Sequence, residues 1–301
     1  MRWSKRLRRG LTVALVRFFL WFFNRLPRSV AQWLGGRIGA VAWRFADSAR
    51  ERADYTLDLA YGDSLSGGER TTIVRQFFID SGKNLADVMR MRRSFNRQLL
   101  PLITAEGMEH LEAAYARGKG AIGVTGHIGN FELLAAYLAV ATKFKIAVIA
   151  REMYDRRLDA MLVANREALG LVNFSTSESP RFLLRWLKNN GGIGVLIDTD
   201  SHRVRSDFVP WFGKPAYTPV GHAILGLKAD ALFLPMACVR TPEDTYHVIV
   251  RPAVSSDRTD DIEADARRLT AACVVELEKI IDQHRSQWIW IHNRWHTQNA
   301  P

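Results

Sequence analysis

His127 and Glu132 are the side chains in this chain whose types and spacing best suit acid–base chemistry. They stand in Gly120-Ala-Ile-Gly-Val-Thr-Gly-His127-Ile-Gly-Asn-Phe-Glu132. On one ideal helix, residues five apart point about 140° away from each other, so the two could not cooperate on a helix surface. The local pattern offers another geometry. An apolar run of strand character, 121–125, ends at Gly126, a glycine turn follows, and helical patterning begins at Phe131. The imidazole then sits on a strand-to-helix turn, and Glu132 is expected to reach back to its ring. The pair reads as a general base with its orienting acid, without a Ser or Cys nucleophile beside it. The nucleophile is therefore a hydroxyl brought by the substrate. Backbone amides of the glycine turn at the start of the following helix are expected to hold the oxyanion.

Elements that would position this pair alternate along the second half of the chain. Strand patterns at 145–150 and 193–197, a strand pair at 231–240 and 245–254, and amphipathic helices at 131–142, 155–169, 177–189 and 260–284 predict an α/β fold. A central, mostly parallel sheet flanked by helices is expected. Arg151 follows the strand at 145–150, at the end where open α/β sheets bind ligands, and its guanidinium suits a phosphate or a developing oxyanion. A salt bridge to Glu152 or Asp155 is the plainer alternative. After the next strand come Asp198, Thr199, Asp200, Ser201 and His202. The spacing does not make a metal site, and no metal is expected; one aspartate faces the site and the other caps or pairs with Arg203 or Arg205. The stretch 208–217 reads as a proline- and aromatic-rich loop whose exposed rings would suit an acyl chain or a bilayer, with a helix opening at Thr218.

Gly118, Gly120 and Gly123 match a dinucleotide fingerprint in spacing, but they precede a strand instead of following one, so that reading is rejected. His292 and His296 lack the acidic partner of a metalloprotease helix and read as packing and headgroup contacts. Cys238 and Cys273 form no paired motif and read as buried thiols.

The formal net charge is +11, which implies an anionic partner. No nucleic-acid-binding signature accompanies it. Residues 1–45 form a separate N-terminal segment, and residues 46–301 carry the chemistry. The first segment combines Arg2, Lys5, Arg6, Arg8 and Arg9 with an apolar run from Leu11 to Phe23. As a helix that run spans roughly 20 Å, short of the roughly 30 Å hydrocarbon core, so a helix lying in the membrane interface is expected. Helical patterning then fills 48–116.

Four blocks, in order, resemble the lipid A late-acyltransferase family: the His-x4-Glu turn, the Asp-x-Asp strand end, the Phe-Val-Pro-x-Phe-Gly loop, and the terminal Trp-x-His-x-Arg-Trp. The likeness covers roughly residues 100–296, with phosphatidylinositol mannoside acyltransferases as near relatives. Thr199 stands where the family often has His or Gln, and His296 where Lys or Arg is common. The resemblance implies a glycerolipid-acyltransferase-like sheet with a membrane-associated N-terminal helix. It makes His127 the base and Glu132 its partner, with Gly129, Asn130, Arg151 and Asp200 shaping the substrate site. It implies no cofactor, an acyl-ACP or acyl-CoA thioester as co-substrate, acyl carrier protein and an anionic glycolipid as partners, and the cytoplasmic face of a bacterial inner membrane.

Overall fold

The computed structural model describes residues 2–142, 144–150, 153–255 and 258–298, with side chains from residue 8 onward. Two helices open the chain, α1 (Arg2–Arg25) and α2 (Arg28–Phe45). Pro27 separates them, its extended backbone (φ −55°, ψ 148°) standing at the start of α2. Then come α3 (Asp47–Tyr61) and the long α4 (Gly67–Ser94). Ser66 and Glu69 form a reciprocal capping box that starts α4 where the polar-to-apolar pattern changes. A π-helical turn at Phe95–Leu99 and a 3₁₀ turn at Leu100–Leu102 lead into β1 (Ile103–Glu106).

From there strands and helices alternate: α5 (Met108–Ala116), β2 (Ala121–Thr125), α6 (Phe131–Ala141), β3 (Ile146–Ala150), α7 (Arg156–Glu167), β4 (Val172–Ser175), α8 (Pro180–Lys188) and β5 (Gly192–Leu196). A hairpin, β6 (Ser206–Trp211) and β7 (Lys214–Pro219), precedes α9 (Gly221–Ala229), β8 (Leu232–Arg240), β9 (Tyr246–Val250) and α10 (Ile262–Gln283). Seven strands form one sheet in the order β1-β9-β8-β2-β5-β3-β4. All neighbours are parallel except β8 and β9. The mostly parallel α/β sheet expected from the alternation is present, with helices on both faces.

Alternate residues of the central strands serve different faces. Ile122 and Val124 of β2, with Ile193 and Val195 of β5, pack with α9, α10 and the terminal tryptophans. Ala121 belongs to the other layer, with Leu133, Leu134 and Leu138 of α6. β2 is buried at four of its five positions, as a central parallel strand covered on both sides must be.

Two short strands, β1 and β4, have no counterpart in the sequence reading, because four residues are too few to show a period. The 208–217 stretch also differs: it is a hairpin, not a loop. Phe212 and Gly213 both have positive φ (48° and 72°), the backbone of a tight two-residue turn. Its aromatics are not exposed. Trp211 is fully buried and stacks on Trp288 at 5.5 Å, and Phe212 packs against Tyr61, Trp288 and Trp290. The helix that follows starts at Gly221, not Thr218, because Thr218 and Pro219 are still paired in the hairpin.

α2 lies on α4 with backbone touching backbone. A Cβ at Gly39 would stand 2.1 Å from the Phe78 carbonyl oxygen, and one at Gly82 the same distance from that of Gly35. The outer faces of α1 and α2 carry exposed Leu11, Phe18, Trp21, Trp33, Val41 and Phe45. Among the described residues no helix is long and apolar enough to cross a membrane.

Candidate active site

β2 and β5 are adjacent and parallel, with Thr125 paired to Leu196. Two residues beyond each strand end, the same register matches His127 with Asp198. The sheet thereby delivers an imidazole and a carboxylate side by side. His127 Nδ1 lies 2.8 Å from Asp198 Oδ1, and the His127 backbone N–H donates to Oδ2 at 2.6 Å. Trp288 Nε1 donates to the same Oδ2 at 2.9 Å. Asp198 is fully buried, whereas the His127 side chain keeps 29% of its surface. Gly126 must be glycine for this packing: a Cβ there would come within 2.7 Å of Asp198 Oδ2.

The electrostatics follow from that pairing. Burial pushes the His127 pKa down, but the charge and hydrogen bond of Asp198 outweigh it and leave it raised above 6.5. Asp198 shows the mirror image: burial pushes its pKa up, and His127, with the Trp288 N–H, holds it below the ordinary 3.8. An imidazole whose Nδ1 is fixed by a carboxylate offers Nε2 to a substrate proton.

Glu132 does not fill the role expected of it. Its carboxylate turns to α7, where Arg166 donates from Nε at 3.0 Å and from Nη2 at 2.5 Å. A fork-to-fork guanidinium pair satisfies a buried carboxylate better than one ring nitrogen does. Arg166 is itself steadied by Asn173 Oδ1 at 3.2 Å. Both ends of the Glu132–Arg166 pair nevertheless line the same cavity as His127.

Gly129 and Asn130 shape the turn. Gly129 has φ +58°, and a Cβ would strike the Cys238 carbonyl at 2.1 Å. Asn130 caps α6, its side chain accepting from Leu133 N–H. Two of the turn's amides are committed: Gly129 N–H donates to Gln287 O and Asn130 N–H to Cys238 O. They tie the loop to β8 and to the 287–288 segment. Asp200 has both oxygens on Thr297, accepting from its N–H at 2.7 Å and its hydroxyl at 2.8 Å. It fastens the chain's end and pairs with neither Arg203 nor Arg205. Arg151 lies outside the described residues.

Beneath His127 runs a cavity of about 350 Å³ between the sheet and α6. Its floor is one face of three strands: Ala121, Gly123 and Thr125 of β2, Gly192, Gly194 and Leu196 of β5, and Ile146 and Val148 of β3. Leu134, Ala135 and Leu138 of α6 roof it, and Leu111 and Phe144 close the far end. Polar groups gather only at the His127 mouth, with Glu132, Arg166 and Thr199. The arrangement suits a long apolar substrate whose reactive end stops at the imidazole.

Sequence reasoning named His127 and missed Asp198 as its partner, Trp288 as the brace and Arg166 as the partner of Glu132. The signal for Asp198 was the equal distance of the two residues from the ends of their strands, usable once those strands are known to be neighbours.

A family profile described as bacterial lipid A biosynthesis acyltransferase matches residues 2–297. The chain is 28% identical over 222 residues to a phosphatidylinositol mannoside acyltransferase of Mycobacterium tuberculosis (strain CDC 1551 / Oshkosh), covering 71% of this chain and 67% of that protein. It is 26% identical over 285 residues to the lipid A biosynthesis lauroyltransferase of Escherichia coli (strain K12), and 24% identical over 292 residues to the palmitoleoyltransferase of the same organism. Each of those two alignments covers 93% of this chain and 89% of the relative.

Proposed function

From a chain that belongs to the bacterial lipid A biosynthesis acyltransferase family, and is therefore an acyltransferase, we propose a donor, an acceptor and a mechanism. The donor is a fatty-acyl thioester of acyl carrier protein or CoA, and the acceptor is a hydroxyl of a lipid A precursor of Kdo-lipid IVA type. The observation that carries this reading is an imidazole held by a buried carboxylate at the polar mouth of an otherwise apolar cavity.

The acyl chain lies in the cavity with its thioester carbonyl at the mouth. His127 Nε2 takes the proton of the acceptor hydroxyl as its oxygen attacks the carbonyl carbon. The tetrahedral intermediate collapses, the carbon–sulfur bond breaks, and the thiolate receives the proton from the imidazolium. Asp198 fixes the ring's tautomer and stabilises its charged form. Arg166, steered by Glu132, brings positive charge to the developing oxyanion. No acyl-enzyme is formed, and no cofactor enters the reaction.

The formal net charge of +11 suits an acidic carrier protein and a phosphorylated glycolipid. The exposed apolar faces of α1 and α2 suit a bilayer surface, and we place the enzyme on the cytoplasmic face of the bacterial inner membrane. The similarity to a phosphatidylinositol mannoside acyltransferase supports a second reading with the same chemistry, an acyl-CoA donor and a mannosylated acceptor. Purified protein incubated with labelled lauroyl thioesters of acyl carrier protein or CoA and each acceptor, with products weighed by mass spectrometry, separates the two. A single labelled ester on the lipid A precursor is the expected product. Thioester consumption with no acylated lipid of either kind sinks both.

A further inference from the structure

Both polar groups of Gly129, two residues beyond His127, lead to one side chain. The Gly129 N–H donates to the Gln287 carbonyl at 2.7 Å. The Gln287 side-chain amide is closed on the Arg240 backbone, accepting from its N–H at 2.7 Å and donating to its carbonyl at 2.8 Å. The Gly129 carbonyl accepts from Asn84 Nδ2 at 3.0 Å, and Asn84 Oδ1 accepts from Arg240 Nε and Nη2 at 3.1 and 2.7 Å. Asn84 comes from α4, Arg240 from the end of β8 and Gln287 from the turn after α10, so three elements far apart in the chain meet on the His127 turn.

Arg240 is itself buried and held on its other edges. Nη1 donates to Gln32 Oε1 of α2 at 2.9 Å and to Asp244 Oδ1 at 3.2 Å, and Nη2 donates to the Tyr246 hydroxyl. That hydroxyl donates in turn to the fully buried Asp87 at 2.8 Å; burial and the neighbouring carboxylate push its pKa well above 10 and keep it a donor. Arg28 completes Asp87 at 2.8 Å. Such a network is a poor source of stability, because removing guanidinium and carboxylate from water offsets their attraction, and apolar packing would hold the junction as well. What hydrogen bonds add is direction. A planar guanidinium fixed at its other edges can aim its remaining donors one way, and here they meet Asn84. Asp198 fixes His127 at one end of the turn, and the Cys238 carbonyl fixes Asn130 at the other. Between them, among the described residues, both hydrogen bonds of Gly129 run through groups bound to Arg240.

We propose that Arg240 is a positioning residue for the acyl transfer: through Asn84 on one side and Gln287 on the other it clamps Gly129, and so fixes the turn that aims the His127 ring. The proposal rests on His127 being the general base. It gives a buried cation far from the reacting atoms a part in the rate, by way of two neutral amide side chains.

The test uses the full chain with lauroyl-acyl carrier protein and whichever of a Kdo-bearing glucosamine lipid and a mannosylated phosphoinositide it acylates. Arg240→Lys keeps the charge but replaces the fork with a point that cannot reach all its acceptors. Asn84→Asp keeps the acceptor for Arg240 and removes the donor to Gly129, whereas Asn84→Ala removes both. All three should lower kcat roughly 10–100-fold, as a slightly misplaced base does. KM for the thioester should change less than about twofold, because neither residue lines the acyl cavity. A second readout separates aim from folding. The charges acting on the ring come from Asp198 and Glu132, with His292 in electrostatic reach of it, and the variants leave all three in place. Arg240→Lys also adds no charge. Its acidic limb of kcat/KM should therefore move to lower pH only because a loosened turn weakens the hold of Asp198, which raises the His127 pKa. Wild-type kcat in Arg240→Lys overturns the clamp. A lowered kcat with an unmoved limb and a lower melting temperature overturns it too, since Arg240 then serves the fold alone. So does a loss in Asn84→Ala that Asn84→Asp restores, which would make Asn84 a mere acceptor for Arg240. His127→Ala tests the premise separately: full activity there removes the base and the clamp together, whereas an inactive His127→Ala beside fully active Arg240→Lys removes the clamp alone.

Discussion

At His127, the proposed general base, two requirements oppose each other. The ring must be neutral to take a proton, yet Asp198 favours its protonated form. Activity should therefore fall on the acid side as pH drops through a histidine pKa above 6.5. Asp198→Asn removes the charge that raises it, so the acidic limb of kcat/KM should move to lower pH while kcat falls roughly 10²–10⁴-fold. Stability runs the other way. The raised pKa means that the protonated pair adds to folding below the unfolded value of 6.5, an effect lost as pH climbs through the folded pKa. Stopped assays and melting curves over the same buffers should show the two trends diverging. Glu132 contributes only a minor part of the His127 shift, so Glu132→Gln should move the limb less than Asp198→Asn while still lowering kcat by releasing Arg166. Equal limb shifts from the two variants would return Glu132 to the orienting role. The imidazole was legible because its turn is local in sequence. Its true partner lies 71 residues away, and spacing along a chain carries no information about which strands become neighbours.

The elements around that pair explain what could and could not be read. β2, β3, β5, β8 and α10 were legible because their apolar periods are long enough to show. The 208–217 hairpin was hidden by prolines, which sit opposite each other as Pro210 and Pro215 where a two-stranded ribbon tolerates them. The glycines of β2 and β5 carried a message only the layers reveal: Gly123, Gly192 and Gly194 floor the cavity under α6. A Cβ at Gly194 would make ordinary contact with Val148 at 3.7 Å, so the strand accepts a larger residue and the cavity loses the space. Gly194→Val should cut kcat/KM for long-chain thioesters about 10–100-fold relative to short ones, read from competition between chain lengths. An unaltered preference would remove the acyl chain from this cavity. At the α2–α4 contact the glycines act differently. Gly39→Ala drives a methyl into a carbonyl, and should cost about 1–3 kcal/mol in denaturant unfolding without altering the chemistry at His127.

For the molecule as a whole, charge and apolar surface coincide on the N-terminal helices. Along α2, Trp33, Arg37, Val41 and Arg44 recur at helical spacing on one exposed face, and Arg37 lies over the Trp33 ring at 5.5 Å. The opposite face, with Ala31, Gly35 and Gly39, is buried against the rest of the fold. α1 shows the same division, with Leu11, Leu15, Phe18 and Trp21 outward and Phe23 inward. A helix pair that buries one stripe and leaves aromatic and basic residues on the other suits the bilayer surface proposed above, where the rings would lie at headgroup depth and the guanidinium groups among anionic lipids. Each arginine at such a surface contributes about 1 kcal/mol, or roughly a factor of five in partition. Arg37→Gln with Arg44→Gln should therefore weaken binding to phosphatidylglycerol vesicles about 25-fold, and raising the salt should shrink that difference as the charges are screened. Trp33→Glu should weaken binding at every salt concentration, because it removes apolar insertion along with adding a repelled charge. Vesicle sedimentation of the wild type and these variants decides the matter. Wild-type protein left in the supernatant with anionic vesicles at low salt would mean that this face meets a protein and that the acceptor must reach His127 by some route other than the bilayer surface.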